Sequence, residues 1–147
     1  MRDEPNARKK TVPLVLDSFA LLVLYQSQPG WEKVRERLIE AVQGGYSHVM
    51  SATNYGEVYY TILRRRGEKA LAEVLAMIEE MQIEVIVPEF QSYVIAARLK
   101  GLHGASYPDC FAAALALERD MPVLTGDPEF SRFEELGVKL EWLPPNR

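Results

Sequence analysis

The chain has 147 residues, with 17 basic against 21 acidic side chains, a net charge of −4, 48% hydrophobic and 26% charged residues. That length fits one domain able to bury a sizeable core, and the acidic balance argues against a strongly basic nucleic-acid binder. Cys110 is the only cysteine, which excludes an intrachain disulfide and a cysteine-based zinc site.

Met1 to Thr11 is polar and charged, lacks the apolar core of a signal peptide, and reads as a flexible N-terminal arm over residues 1–11. No apolar run approaches the ~18 residues of a membrane span. A reducing, cytoplasmic setting is the expectation.

Val12 to Leu16 is a short apolar run that predicts a buried strand, with Pro13 near its start. It ends in Asp17-Ser18, and Phe19 to Tyr25 predicts a helix. Asp17 thus falls at a strand-to-helix junction, where an N-cap is the ordinary role. After a break at Gln28-Pro29-Gly30, apolar residues at 31, 34, 38 and 41/42 predict a helix from Trp31 to Gln43, closed by Gly44-Gly45.

Tyr46 to Met50 predicts a second strand. A single histidine there, His48, is more readily structural than a ligand. Ser51-Ala52-Thr53-Asn54 offers several caps for a helix through Arg66. Counted from Asn54 as N-cap, Glu57 holds the capping-box position. Arg64-Arg65-Arg66-Gly67 closes this helix with basic residues that suit its dipole. Arg64 also lies two turns after Glu57 and shares its face. Arg64 and Arg65 are therefore candidates to hold a phosphate backbone.

Glu68 to Met81 predicts a further amphipathic helix, and Ile83 to Pro88 a third strand. Glu89 to Leu99 predicts a helix ended by Lys100-Gly101, followed by a loop, Leu102 to Ala105, whose lone His103 is weak evidence of a site. Ser106 is a good N-cap for the alanine-rich helix that follows to Leu117. Asp109 stands three residues later, again the capping-box spacing. Met121 to Thr125 predicts a buried strand that ends in Gly126-Asp127-Pro128, an N-cap with proline at the first helical position. Val138 to Leu143 alternates apolar and charged residues as far as Trp142, the pattern of an edge strand. Short strands alternating with helices predict an α/β fold with a mostly parallel sheet.

Asp17, Glu57, Asp109 and Asp127 each have a plausible capping role when taken singly. Jointly they share a placement at strand ends and helix starts. In a parallel sheet these lie on one edge, where open-sheet ligands bind. Two charges at ~4 Å repel by roughly 1–4 kcal/mol at effective dielectrics from 80 down to 20. Either some of the acids are protonated or a cation offsets them. Oxygen donors without cysteine or clustered histidine point to Mg²⁺ or Mn²⁺ and not to zinc. A divalent ion held this way suits phosphate chemistry.

The chain resembles the PIN-domain family and, within it, the VapC-type toxins of toxin–antitoxin pairs. The matching residues are Leu16-Asp17-Ser18, Ser51 to Val58 around Glu57, Ser106-Tyr107-Pro108-Asp109 with its helix, Leu124 to Phe130, and the closing Val138 to Leu143. The resemblance spans residues 12 to 143. It implies a three-layer α/β domain over residues 12–147 with a central five-stranded parallel sheet, and a Mg²⁺- or Mn²⁺-dependent endoribonuclease. By position, Asp17, Glu57, Asp109 and Asp127 carry over as the acidic, metal-holding site. Thr125 carries over as a supporting hydroxyl. The resemblance further implies an RNA substrate, a cognate antitoxin and a homodimer. Phe19, Leu22, Tyr25, Tyr59 and Tyr60 on the early helices are either core or a partner surface. Pro108 and Cys110 depart from the family's usual residues around the third acid, and both are tolerable there. The competing functions are a non-catalytic interaction module whose acids are only caps, and a haloacid-dehalogenase-like phosphatase. The phosphatase needs a second Asp two residues after Asp17, where Phe19 stands.

Overall fold

The computed structural model describes residues 12–144. The arm expected over residues 1–11 lies outside the described residues. Five short strands, β1 (Val15–Leu16), β2 (Val49–Ser51), β3 (Glu84–Ile86), β4 (Val123–Thr125) and β5 (Leu140–Trp142), form one sheet in the order β3-β2-β1-β4-β5. Every pairing is parallel, with Val15 in register with both Val49 and Val123, and Thr125 with Trp142. The helices are α1 (Ser18–Tyr25), α2 (Trp31–Gly44), α3 (Ala52–Glu80), α4 (Phe90–His103) and α5 (Tyr107–Arg119), with a 3₁₀ segment at Pro128–Leu136.

The two-residue period of a strand sends alternate side chains to opposite faces. Leu14, Leu16, Met50 and Leu124 join a core with α1, α2 and α3. Val15, Val49 and Val123 join a second core with α4, α5 and the 3₁₀ segment, where Phe111, Phe130 and Phe133 are buried. Because both faces are covered, the central strands are apolar up to the Ser51 and Thr125 that end β2 and β4. The fold is the expected three-layer α/β arrangement.

Some boundaries differ from the sequence reading, each for a local reason. The first strand is shorter than Val12 to Leu16. Leu14 is buried, yet its N–H donates to His48 Nδ1 at 3.0 Å and not to a strand. His48 then uses Nε2 toward the Arg37 carbonyl at 2.9 Å, so its role is structural. Burial holds the imidazole below its ordinary pKa. Helix α4 does not stop at Lys100-Gly101. Leu102 and His103 are helical, and Gly104, at φ +74°, ends it with its N–H on the Lys100 carbonyl. The break expected at Gly67 is present, since α3 is two helices meeting there at φ +89° and ψ −176°.

Candidate active site

Strands 1 to 3 build outward on one side of β1, and strands 4 and 5 build outward on the other. The order of connection therefore reverses between β1 and β4, and the C-terminal end of that pair is where open parallel sheets bind ligands. Asp17 leaves β1 at this place, and Asp127 follows β4 by two residues.

Asp17 is the N-cap of α1. Its Oδ1 accepts from the Ala20 N–H at 2.9 Å and its Oδ2 from the Thr125 hydroxyl at 2.6 Å. It is only 1% exposed. Burial raises its pKa from 3.8 to about 7. The two hydrogen bonds oppose that rise, and the charges of Asp109 and Asp127 add to it.

Thr125 is fully buried, and its Oγ1 both donates to Asp17 and accepts from the Asp127 N–H at 3.0 Å. One hydroxyl thus links two of the acids. Asp127 caps the 3₁₀ segment through Oδ1, which accepts from the Glu129 N–H at 2.9 Å. Gly126 between them is needed for space, because a Cβ there would stand 2.6 Å from Cε1 of Phe19.

Ser106 caps α5 by accepting from the Asp109 N–H at 3.2 Å. The Asp109 carboxyl is pushed up to about 6, by burial first and then by the negative charge of Asp127; Glu57 and Glu129 add to the rise and the Ser106 hydroxyl opposes it. Glu57 is half-buried on α3. The N-cap of α3 is Ser51 and not Asn54, so Glu57 is not in a capping box.

The four acids thus form one electrostatic group in which Asp17 feels Asp109 and Asp127, and Asp109 feels Asp127 and Glu57. Among the described residues no lysine or arginine pairs with any of them. Nor do three acidic, histidine or cysteine side chains stand close enough there to make a finished metal cage. The donor set itself is all carboxylate oxygen, the chemistry of hard divalent cations, and an offsetting cation would relieve the repulsion. In donor chemistry alone the residues match such an ion.

Among the described residues no ion pair joins Arg64 or Arg65 to these acids. Both are exposed, and the Arg64 guanidinium lies over the Tyr60 ring, 5.7 Å from its centroid. A cavity of about 230 Å³ lies elsewhere, lined by Ile86, Val87, Phe111 and Glu118 among others and by none of the four acids. Of the early-helix apolar residues, Phe19, Tyr59 and Tyr60 are exposed, whereas Leu22 and Tyr25 pack against the core.

The sequence reading missed the position of Asn54. It is fully buried, and its Nδ2 donates to Ser18 Oγ at 3.2 Å and to the Pro108 carbonyl at 3.1 Å. The spacing of Asn54, Val58 and Ile62 was the available signal, since residues four apart share a helix face and the latter two are core.

A PIN domain family model matches residues 14–136. VapBC2 from Rickettsia felis, in a crystal structure bound to a DNA fragment from their promoter, is similar at a TM-score of 0.73 and 14% identity, covering 90% of this chain and 100% of that one. DNA-bound VapBC from Salmonella typhimurium follows at 0.68 and 17%, covering 89% and 98%. VapC20 from Mycobacterium tuberculosis, a sarcin-ricin loop cleaving toxin, stands at 0.67 and 15%, covering 89% and 99%. At such identities these likenesses speak to the fold alone. No curated protein sequence matches the chain at a significant level. The family model takes in all five strands but the last and all four acids, and on that match the chain belongs to the PIN domain family.

Proposed function

We propose that the protein is a Mg²⁺- or Mn²⁺-dependent endoribonuclease and the toxin of a toxin–antitoxin pair. The observation that carries the reading is the mutual repulsion of Asp17, Asp109 and Asp127 at the β1/β4 switch point, with no basic side chain among the described residues to relieve it. Family membership supports a nuclease, and the VapC20 and VapBC likenesses support RNA as substrate and an antitoxin as partner.

Asp17, Asp109 and Asp127 would hold the ion, with Glu57 joining them directly or through water. When bound, the ion lowers the pKa of a water and offsets charge on the scissile phosphate. The chain's own contributions are these. Thr125 keeps the Asp17 and Asp127 segments in register. Glu57, whose charge reaches Asp109, would take a proton from the attacking water. Arg64 and Arg65 extend a basic surface that RNA phosphates can meet further along α3. The exposed Phe19, Tyr59 and Tyr60 are the proposed contact with an antitoxin or a second copy in a homodimer.

Cleavage of a mixed RNA pool should require Mn²⁺ and should be lost in Asp109→Asn. Equal cleavage by both proteins would sink the assignment. The non-catalytic module keeps one observation in its favour, the lack of a finished ligand cage among the described residues. A metal that binds the folded state must raise the melting temperature. No rise at millimolar Mn²⁺ would favour the module. The phosphatase reading gains nothing, since Phe19 lies with its ring edge against Gly126 where that chemistry needs a second acid.

A further inference from the structure

We infer that Asn54 is a positioning residue of this site, setting the separation of Asp17 from Asp109 by joining their chain neighbours; the inference rests on the reading of the acids as a metal-holding group. Asn54 lies in the first turn of α3 and is fully buried. Its amide nitrogen donates to Ser18 Oγ at 3.2 Å and to the Pro108 carbonyl at 3.1 Å. Ser18 returns a bond from its hydroxyl to the Asn54 carbonyl at 3.3 Å. Ser18 follows Asp17, Pro108 precedes Asp109, and Glu57 stands one turn beyond Asn54 on the same helix. One side chain therefore ties together the three elements that carry three of the acids, across sequence separations of 36 and 54 residues.

The orientation of the amide is fixed, because a carbonyl can only accept and the nitrogen must face Pro108. Nothing local calls for asparagine here. Ser51 already caps α3. The other end of the amide, Oδ1, is buried without a hydrogen-bond partner. A buried orphan carbonyl oxygen weakens a fold, and native structures pair nearly all such groups. Local rules broken without local gain are expected at functional sites. The gain here is the double donor, which holds two acid-bearing turns at a set spacing. That spacing matters because carboxylates that share one ion must stand at a set distance from each other.

The test is Mn²⁺ binding by electron paramagnetic resonance, with RNA cleavage followed in parallel. It compares wild type, Asn54→Ala, Asn54→Ser and Val74→Ala. Val74 is fully buried in the second half of α3, beyond the Gly67 break, and its truncation reports destabilisation alone. All measurements are made below the melting temperature of every variant. Residues that orient ligands typically change metal affinity by about tenfold to a hundredfold when removed. Asn54→Ala should weaken Mn²⁺ binding by at least about tenfold, with cleavage falling alongside, while Val74→Ala binds as wild type does. Asn54→Ser, which keeps one donor, should fall between and carries the test if the alanine variant does not fold. Mn²⁺ affinity of the Asn54 variants equal to that of wild type would overturn the positioning role and leave the nuclease reading standing. A wild type that binds no Mn²⁺ would overturn both.

Discussion

Asp17 is buried where the sheet gives it no cation, and its carboxyl sits at about 7 against an ordinary 3.8. A group whose folded pKa lies above its unfolded value binds more protons when folded. The metal-free protein should therefore lose stability as pH rises through the window between those two values. At ~1.4 kcal/mol per unit the loss from Asp17 is on the order of 4 kcal/mol. His48 acts in the opposite sense, because its lowered pKa withdraws stability on acidification, but it is common to both proteins in the comparison. Urea midpoints measured in EDTA from acid to neutral pH should fall for wild type and fall less steeply for Asp17→Asn, which keeps the raised Asp109 carboxyl. Parallel curves would show that Asp17 does not titrate as described. The acids themselves were legible because each follows a strand or opens a helix, and such places converge in a parallel sheet. The buried face of Asn54 could be read from its helical spacing, but its bonds could not, since they reach Ser18 and Pro108 at separations no local pattern encodes.

At the scale of elements, α3 shows how backbone and site are kept apart. Its first half carries Asn54 and Glu57, and its second half packs Leu71, Val74 and Ile78 into the core. Gly67 joins them in a conformation open essentially to glycine alone. A Cβ at Gly67 would meet nothing within 4 Å, so Gly67→Ala has no steric clash with its surroundings. Its effect should be purely conformational, a destabilisation of about 1–3 kcal/mol in chemical denaturation. A variant as stable as wild type would mean that the two halves can straighten into one helix. The break was visible in the sequence as a glycine after three arginines. The end of α4 was not, because Gly101 is tolerated mid-helix and only the positive φ of Gly104 marks the stop. Strand lengths were over-read for a related reason: burial extends beyond the hydrogen-bonded ladder, as Leu14 shows.

For the whole molecule, α2 clips the edge strand β5 to the rest. Arg37 Nε meets Glu141 Oε2 at 2.6 Å, and Lys33 Nζ donates to the Trp142 carbonyl at 2.8 Å. Arg37 also offers its own carbonyl to His48, so the clip continues toward β1 and β2. A double-mutant cycle of Arg37→Met and Glu141→Gln should give a coupling of about 1–3 kcal/mol in folding stability. Additive effects within ~0.5 kcal/mol would show the edge to be held by its ladder alone. The alternation of Val138 to Leu143 marked this strand as an edge, but its partner helix could not be read from it. The α/β class and the parallel sheet were recoverable because apolar runs and helical periods alternate cleanly along the chain, whereas the strand order was not read from it.

The bond from Thr125 to Asp17 spans 108 residues. Strand β1 is made well before one of its two neighbours, β4. Until β4 follows, Asp17 lacks both the hydroxyl that holds it and the fourth acid beside it. A growing chain on the ribosome therefore carries an incomplete centre until β4 and Asp127 have emerged and joined β1, and any hydrolytic capacity arrives only then.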